Sequence, residues 1–339
     1  SNTIKKGLKG WDISEKIAVY PEVEKISFDV LTPLLWGLKL DDNNPESFAG
    51  LPVASKAQVK ALYKTYFDGF YGLVKLKSPL TAYGRGIQAR AKLIELMRAV
   101  IKRKKKEEIN PISDFLAMML ANQQDNPDGV FNDNLIENQC LLQLWASHYE
   151  ISGLVSSLIY KLGQYPQLVK KLRQEQVEVK DKVEQKDIFS SENLKKMEFL
   201  EATIKEILRA LPPSSTANRR LTKSVVVNGI LYEKGCAVIA EPRLAHVMEE
   251  HFTEPEKFDP ERFLAPRNEG KMYEFIPFGG GVHACLGAQM AMVVTKIFGS
   301  YLLDLFDWES IGEASFVQFP LKKLKDNYQI NFQTYQSVS

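Results

Sequence analysis

Phe278-Gly279-Gly280-Gly281-Val282-His283-Ala284-Cys285-Leu286-Gly287 is the stretch on which the reading of this chain turns. Three successive glycines allow tight turns and let a backbone approach a flat ligand without Cβ clashes. The pattern predicts a final helix from about Ala284 to Leu305, which puts Cys285 at its start. There, free N–H groups and the helix dipole favour a thiolate. Phe278 can shield the sulfur, and Gly287 lets the helix pack close to a ring system. A glycine-rich loop entering a helix can also cradle phosphate. The Gly-Lys-Ser/Thr of a phosphate loop is missing, however, as is the βαβ context of a dinucleotide fold. A lone cysteine is by default a small buried apolar residue; the loop around this one argues for a ligand.

The rest of the chain bounds what such a loop can serve. With 339 residues, 45% apolar and 25% charged, it can bury a large core and falls in the globular class. Lys plus Arg number 44 against 42 for Asp plus Glu, a net charge of +2. That balance gives no reason to expect nucleic acid as a partner. Cys140, Cys236 and Cys285 form no C-x-x-C pair, so a reducing compartment suits them better than a disulfide framework. Four histidines offer no zinc-finger spacing. Without a long apolar run or a signal-peptide pattern, the expected location is cytoplasmic, an anchor upstream of Ser1 being invisible here.

Working outward, residues 1 to about 210 read mostly as helices. Residues 89–101 carry apolar side chains at helical spacing and run into Lys102-Arg103-Lys104-Lys105-Lys106, a solvated C-terminus favoured by the dipole. A helix from about Asp133 to Leu162 is apolar nearly all round, as expected for the centre of a helical domain. Pro166 opens the next, and another spans Asn193 to Leu211. Beyond it, Asn228-Gly229 between β-prone runs predicts a hairpin. Cys236–Ala240 and Tyr328–Phe332 read as strands, and residues 249–277 as a long loop. The expected architecture is one mainly α domain with a small β region near the C-terminus.

Three motifs in order now carry a resemblance. The loop fits F-x-x-G-x-[R/H]-x-C-x-G through Phe278, Gly281, His283, Cys285 and Gly287. Glu206-Ile207-Leu208-Arg209 fits E-x-x-R, and Phe258–Phe263 supplies a P-x-R-F element with Arg262. By itself Glu206 with Arg209 is an ordinary i, i+3 pair. Together the motifs resemble the cytochrome P450 superfamily across essentially the whole chain, 1–339, read as a single domain. The resemblance implies haem b as cofactor, with Cys285 as the iron ligand and Glu206, Arg209 and Arg262 as a buried lock. It implies that His283 and Arg219, with Arg220 as its rival, face haem propionates, and gives His246 a structural role. Residues Ser214–Asn218 resemble a substrate-contact region.

Two departures shape the functional expectation. Family members carry an N-terminal β-rich portion and a W-x-x-x-R helix, whereas Trp11 is followed by Glu15. The family fold is therefore expected here without that portion, which is absent or comes from elsewhere. The central helix also lacks the pattern [A/G]-G-x-[D/E]-T-[T/S]. Matching Ala146 and His148 to an A-G-H version puts Glu150 at the threonine; a shift of one puts Glu150 at the acid and Ile151 at the threonine. Glu150 and Ser152 are the candidate proton-handling residues. The expected function is hydroxylation or epoxidation of an apolar small molecule, with electrons from a ferredoxin, flavodoxin or reductase. The alternatives are a peroxide isomerase, dehydratase or peroxygenase of the same fold, or a non-catalytic haem-binding scaffold.

Overall fold

The computed structural model describes residues 1–182, 188–214, 216–310, 313–317 and 322–336. Helix outweighs strand. In chain order the elements are α1 (Asn2–Lys9), β1 (Ile17–Ala18), α2 (Val19–Trp36), α3 (Lys56–Phe70), α4 (Ala82–Lys104), α5 (Phe115–Asp125), α6 (Asp133–Gln164), α7 (Pro166–Lys180), α8 (Ser191–Lys196) and α9 (Glu198–Ala210). There follow β2 (Ala217–Arg220), β3 (Val225–Val227), β4 (Ile230–Tyr232), β5 (Ala237–Ala240), α10 (Pro242–Ala245), α11 (Ala288–Leu305), β6 (Phe306–Glu309), β7 (Phe316–Val317), β8 (Lys323–Leu324) and β9 (Gln329–Thr334). The chain divides into two compact units, Ser27–His148 and the remainder, with the divisions falling inside α2 and α6.

Within Ser27–His148 the helices start where short polar side chains cap them. Ser55, Thr81 and Asp114 each accept a hydrogen bond from an N–H three residues on. Helices α3 and α4 touch through Gly69 and Gly86, where a Cβ on Gly69 would lie 2.5 Å from Gly86 Cα. The basic run does close α4, and its charges find partners. Lys104 pairs with Asp114 at 2.9 Å and Lys105 with Asp133 at 3.1 Å, while Arg103 donates to the Ser47 carbonyl.

The other unit is built around α11, which packs on α1, α7 and α9 with Phe298, Leu302 and Leu303 buried. Strands β1, β9 and β6 form a three-stranded antiparallel sheet, against which Trp11 stacks through Phe306 and Phe332. The end of α6 is closed from outside itself. Trp308 Nε1 donates to the Ile159 carbonyl at 2.8 Å, Ser310 Oγ to Tyr160 O at 2.7 Å, and Ser310 N–H to Gly163 O. Gly163 O is one of the last carbonyls that a helix end leaves without a partner, while Ile159 and Tyr160 lie one turn earlier and gain a second donor. Gly163 makes the approach possible, since a Cβ there would sit 2.4 Å from Ser310 Oγ.

The hairpin is as its sequence predicts. Asn228 and Gly229 have φ of 51° and 78°, the left-handed pair that a two-residue turn of this hand requires. Two helix boundaries differ from expectation. The helix read from Asn193 to Leu211 is two helices broken at Met197, because the Glu175 carboxylate from α7 accepts the N–H groups of Phe199 and Leu200. A distant side chain thus caps a new helix start. The last helix begins at Ala288 rather than Ala284, leaving Cys285 outside it.

Candidate functional site

The cysteine loop is a self-closed turn. Cys285 N–H donates to Phe278 O at 2.8 Å, Ala284 N–H to Gly281 O at 3.1 Å, and Gly279 N–H to Ile276 O at 3.0 Å. Gly279 and Gly281 have φ of 69° and 65°, a region that Cβ-bearing residues avoid. These bonds hold Ala284 and Cys285 out of helical geometry, which is why α11 starts later. The dipole of α11, effective within its first turn, acts on Cys285 from three residues away rather than from within the helix.

At Cys285 the surroundings are open. Residues 279–286 are all exposed, Val282 at 97% and Leu286 at 76%, so two apolar side chains beside the thiol have nothing covering them. A Cβ on Gly281 would meet nothing within 4 Å, and one on Gly287 would only graze Met290 and the Cys285 sulfur. An uncovered thiol on a glycine shelf flanked by apolar side chains fits a flat apolar macrocycle with a metal at its centre. Phe278, Gly281, His283, Cys285 and Gly287 are brought together here. Arg219 sits on β2 opposite Val238, exposed, and among the described residues its guanidinium donates only to the Asn218 carbonyl. No carboxylate of the described chain pairs with it. Arg220 points to the other face of the ribbon and donates to Gly235 O.

The segment leading to this loop is held by charge. Glu206, Arg209 and Arg262 are all buried, with at most 1% exposure. Arg209 grips Glu206 bidentately at 2.7 and 2.8 Å, and Arg262 Nε lies 3.2 Å from Glu206 Oε2, close but poorly aligned for a hydrogen bond. Their remaining donors go to carbonyls of His246, Thr253 and Lys257. Asp259 N–H donates to Glu206 as well. Glu269 is a further member, bonded to Arg262 at 2.7 Å, that the motif does not contain. A charge-rich stretch from 254 to 269 was the available signal, but nothing local says which acid turns inward. His246 is buried, and its Nε2 accepts the Ile276 N–H at 3.2 Å, tying the network to the approach of the cysteine loop. Burial, reinforced by the Arg209 charge, lowers its pKa to about 4, so it is neutral near pH 7.

On α6 the two proton-handling candidates part company. Glu150 shares a helix face with Gly153, three residues on. Gly153 lies against Pro213 and the Lys322 carbonyl, and Lys322 N–H in turn donates to Pro213 O. Ser152 is fully buried about 200° round the helix from Glu150. The two do not share a face. Glu150 is partly buried, and removal from water pushes its carboxyl up to about 7. Of the segment Ser214–Asn218, Ser215 lies outside the described residues.

A family model described as cytochrome P450 matches residues 9–331. The chain belongs to the cytochrome P450 family. It is 29% identical over 95% of its length to a cytochrome P450 120 of Synechocystis sp., of which it covers 69%. It is 30% identical over 93% to cytochrome P450 26A1 of Gallus gallus and 29% identical over 93% to abscisic acid 8′-hydroxylase 2 of Arabidopsis thaliana, covering 63% of each. A cyanobacterial cytochrome P450 solved with retinoic acid bound superposes with a TM-score of 0.84 at 27% identity, over 98% of this chain and 73% of that one. The chain thus spans about two thirds of the length of its P450 relatives. The family is one of haem-using oxidoreductases. Among the described residues no helix is long and apolar enough to cross a membrane.

Proposed function

We propose that residues 1–339 act as one P450-type domain that inserts oxygen into an apolar small molecule, by hydroxylation or epoxidation, with haem b held by the Cys285 thiolate. The observation carrying this is the uncovered Cys285 on its glycine shelf beside a fully buried Glu206 network. The names of the relatives, an abscisic acid hydroxylase and a retinoic acid complex, support an apolar substrate. Unpaired cysteines support a reducing, cytoplasmic setting.

Each residue has its task. Cys285 would hold the iron through its sulfur, and Gly281 and Gly287 would leave room for the ring. Val282 and Leu286 cover it with apolar surface, while Arg219 and His283 meet the propionates. Bound haem supplies the oxygen chemistry, tuned by its thiolate ligand. Glu150 delivers protons on the substrate side. In the register that puts it at the threonine position, a carboxyl raised to about 7 by burial can both give and take a proton at neutral pH. Ser152, turned away, packs. Electrons come from a ferredoxin, flavodoxin or reductase.

The haem-loaded protein, reduced under carbon monoxide, should show the long-wavelength Soret band of a thiolate ligand, and Cys285→Ala should abolish it. Turnover of apolar substrates should require an electron donor and fall in Glu150→Ala. Isomerisation of lipid hydroperoxides without any donor, indifferent to Glu150→Ala, would replace this reading with a peroxide isomerase.

A further inference from the structure

Lys296 is buried on α11, the helix that leaves the cysteine loop. A buried ammonium is costly unless bonded. This one donates to the Leu194 carbonyl at 2.7 Å and to Glu201 Oε2 at 2.8 Å. Leu194 ends on α8 and Glu201 lies near the start of α9. One turn further along α11, a Cβ on Gly299 would lie 3.2 Å from Leu200 Cδ1, so α11 and α9 are in close contact there.

Helix α9 therefore grips both approaches to Cys285. Through Glu206 and Arg209 it holds His246, Asp259 and Arg262 upstream. Through Glu201 it holds α11 downstream. A methionine at 296 could fill the same space, but apolar contact is non-directional and tolerates sliding along the helix axis. A buried charge with two fixed acceptors tolerates one register, which is the best-attested use of such groups. We propose that Lys296 is a positioning residue: its bonds to Glu201 and the Leu194 carbonyl fix the register of α11 and with it the place of the Cys285 sulfur. This rests on the reading of Cys285 as haem ligand.

The test compares Lys296→Met and Lys296→Arg with Gln176→Leu. Gln176 is also buried and donates to Ser300 O and Asp304 at the far end of α11, so its loss weakens the same helix away from the loop. In reduced, carbon monoxide-treated protein, Lys296→Met should shift intensity several-fold from the thiolate band to the short-wavelength band of a displaced sulfur. Gln176→Leu, at a similar loss of melting temperature, should leave the ratio as in the parent, and Lys296→Arg should restore most of it. In haem-free protein, hydrogen exchange over residues 284–291 should quicken in Lys296→Met and not in Gln176→Leu. Equal shifts in the two variants, or none in either, overturn the proposal. Should Lys296→Met fail to fold, Glu201→Leu, which removes one of the two acceptors, replaces it with the same expected and overturning outcomes. A parent protein without a thiolate band overturns the reading of Cys285 instead.

Discussion

The Glu206 network and the cysteine loop are linked through His246 and Ile276 and are opposites in construction. In the first, a carboxylate and two guanidiniums are removed from water and nearly every donor ends on an acceptor the chain provides. In the second, three backbone hydrogen bonds close the turn while the side chains of residues 279–286 stay exposed. Buried charge is tolerated where its partners are supplied, and on the proposed reading the exposed apolar surface beside the thiol is where the ring would lie. The difference separates residues that the chain uses on itself from those it offers to a ligand.

Breaking the first region should have the largest effect. Glu206→Ala leaves Arg209 and Arg262 facing each other without their shared carboxylate, at a cost of about 3–5 kcal/mol. Denaturant unfolding of the haem-free protein should show that loss, and a variant with the parent midpoint would mean the network is dispensable.

Glu150 sharpens the contrast, since it is an acid in an apolar helix without such compensation. Its carboxyl is raised from 4.5 to about 7, so the folded state holds a proton that the unfolded state has released between those values. Its contribution is full below pH 4.5 and is lost as pH rises through about 7, a swing of about 2–3 kcal/mol after allowing for its partial exposure. His246, lowered to about 4, has the opposite slope between 4 and 6.5 and is common to both proteins. Glu150→Gln should therefore gain stability relative to the parent as pH increases from 5 to 8. A constant difference across that range would count against the raised carboxyl.

The smallest effect belongs to the exposed hairpin. Gly229→Ala forces a Cβ-bearing residue to φ 78° and should cost about 1 kcal/mol without altering the haem spectrum. A spectral change would mean that β3 and β4 communicate with the site.

What could be read in the sequence was local. Asn228-Gly229 specifies its turn by backbone sterics, and the cysteine loop declares itself by glycines whose φ values only glycine adopts readily. The long apolar run of α6 needed no partner to be recognised. Illegible were the features made by residues far apart. Glu175 splits one expected helix into two from 24 residues away, and Lys296 finds Glu201 across 95. Helix periodicity carries no trace of either bond. Cys285 fell between the two cases: its glycine-rich loop was evident, but its place outside α11 depends on loop bonds that spacing alone does not reveal.

The closed end of α6 has a consequence for synthesis. Trp308 follows Ile159, whose carbonyl it binds, by 149 residues. A ribosome adding about 5–20 residues per second makes the central helix wait on the order of 7–30 s for that tryptophan. During that interval the donors that Trp308 and Ser310 bring to the end of α6 are missing, and a chain ended before Trp308 never acquires them.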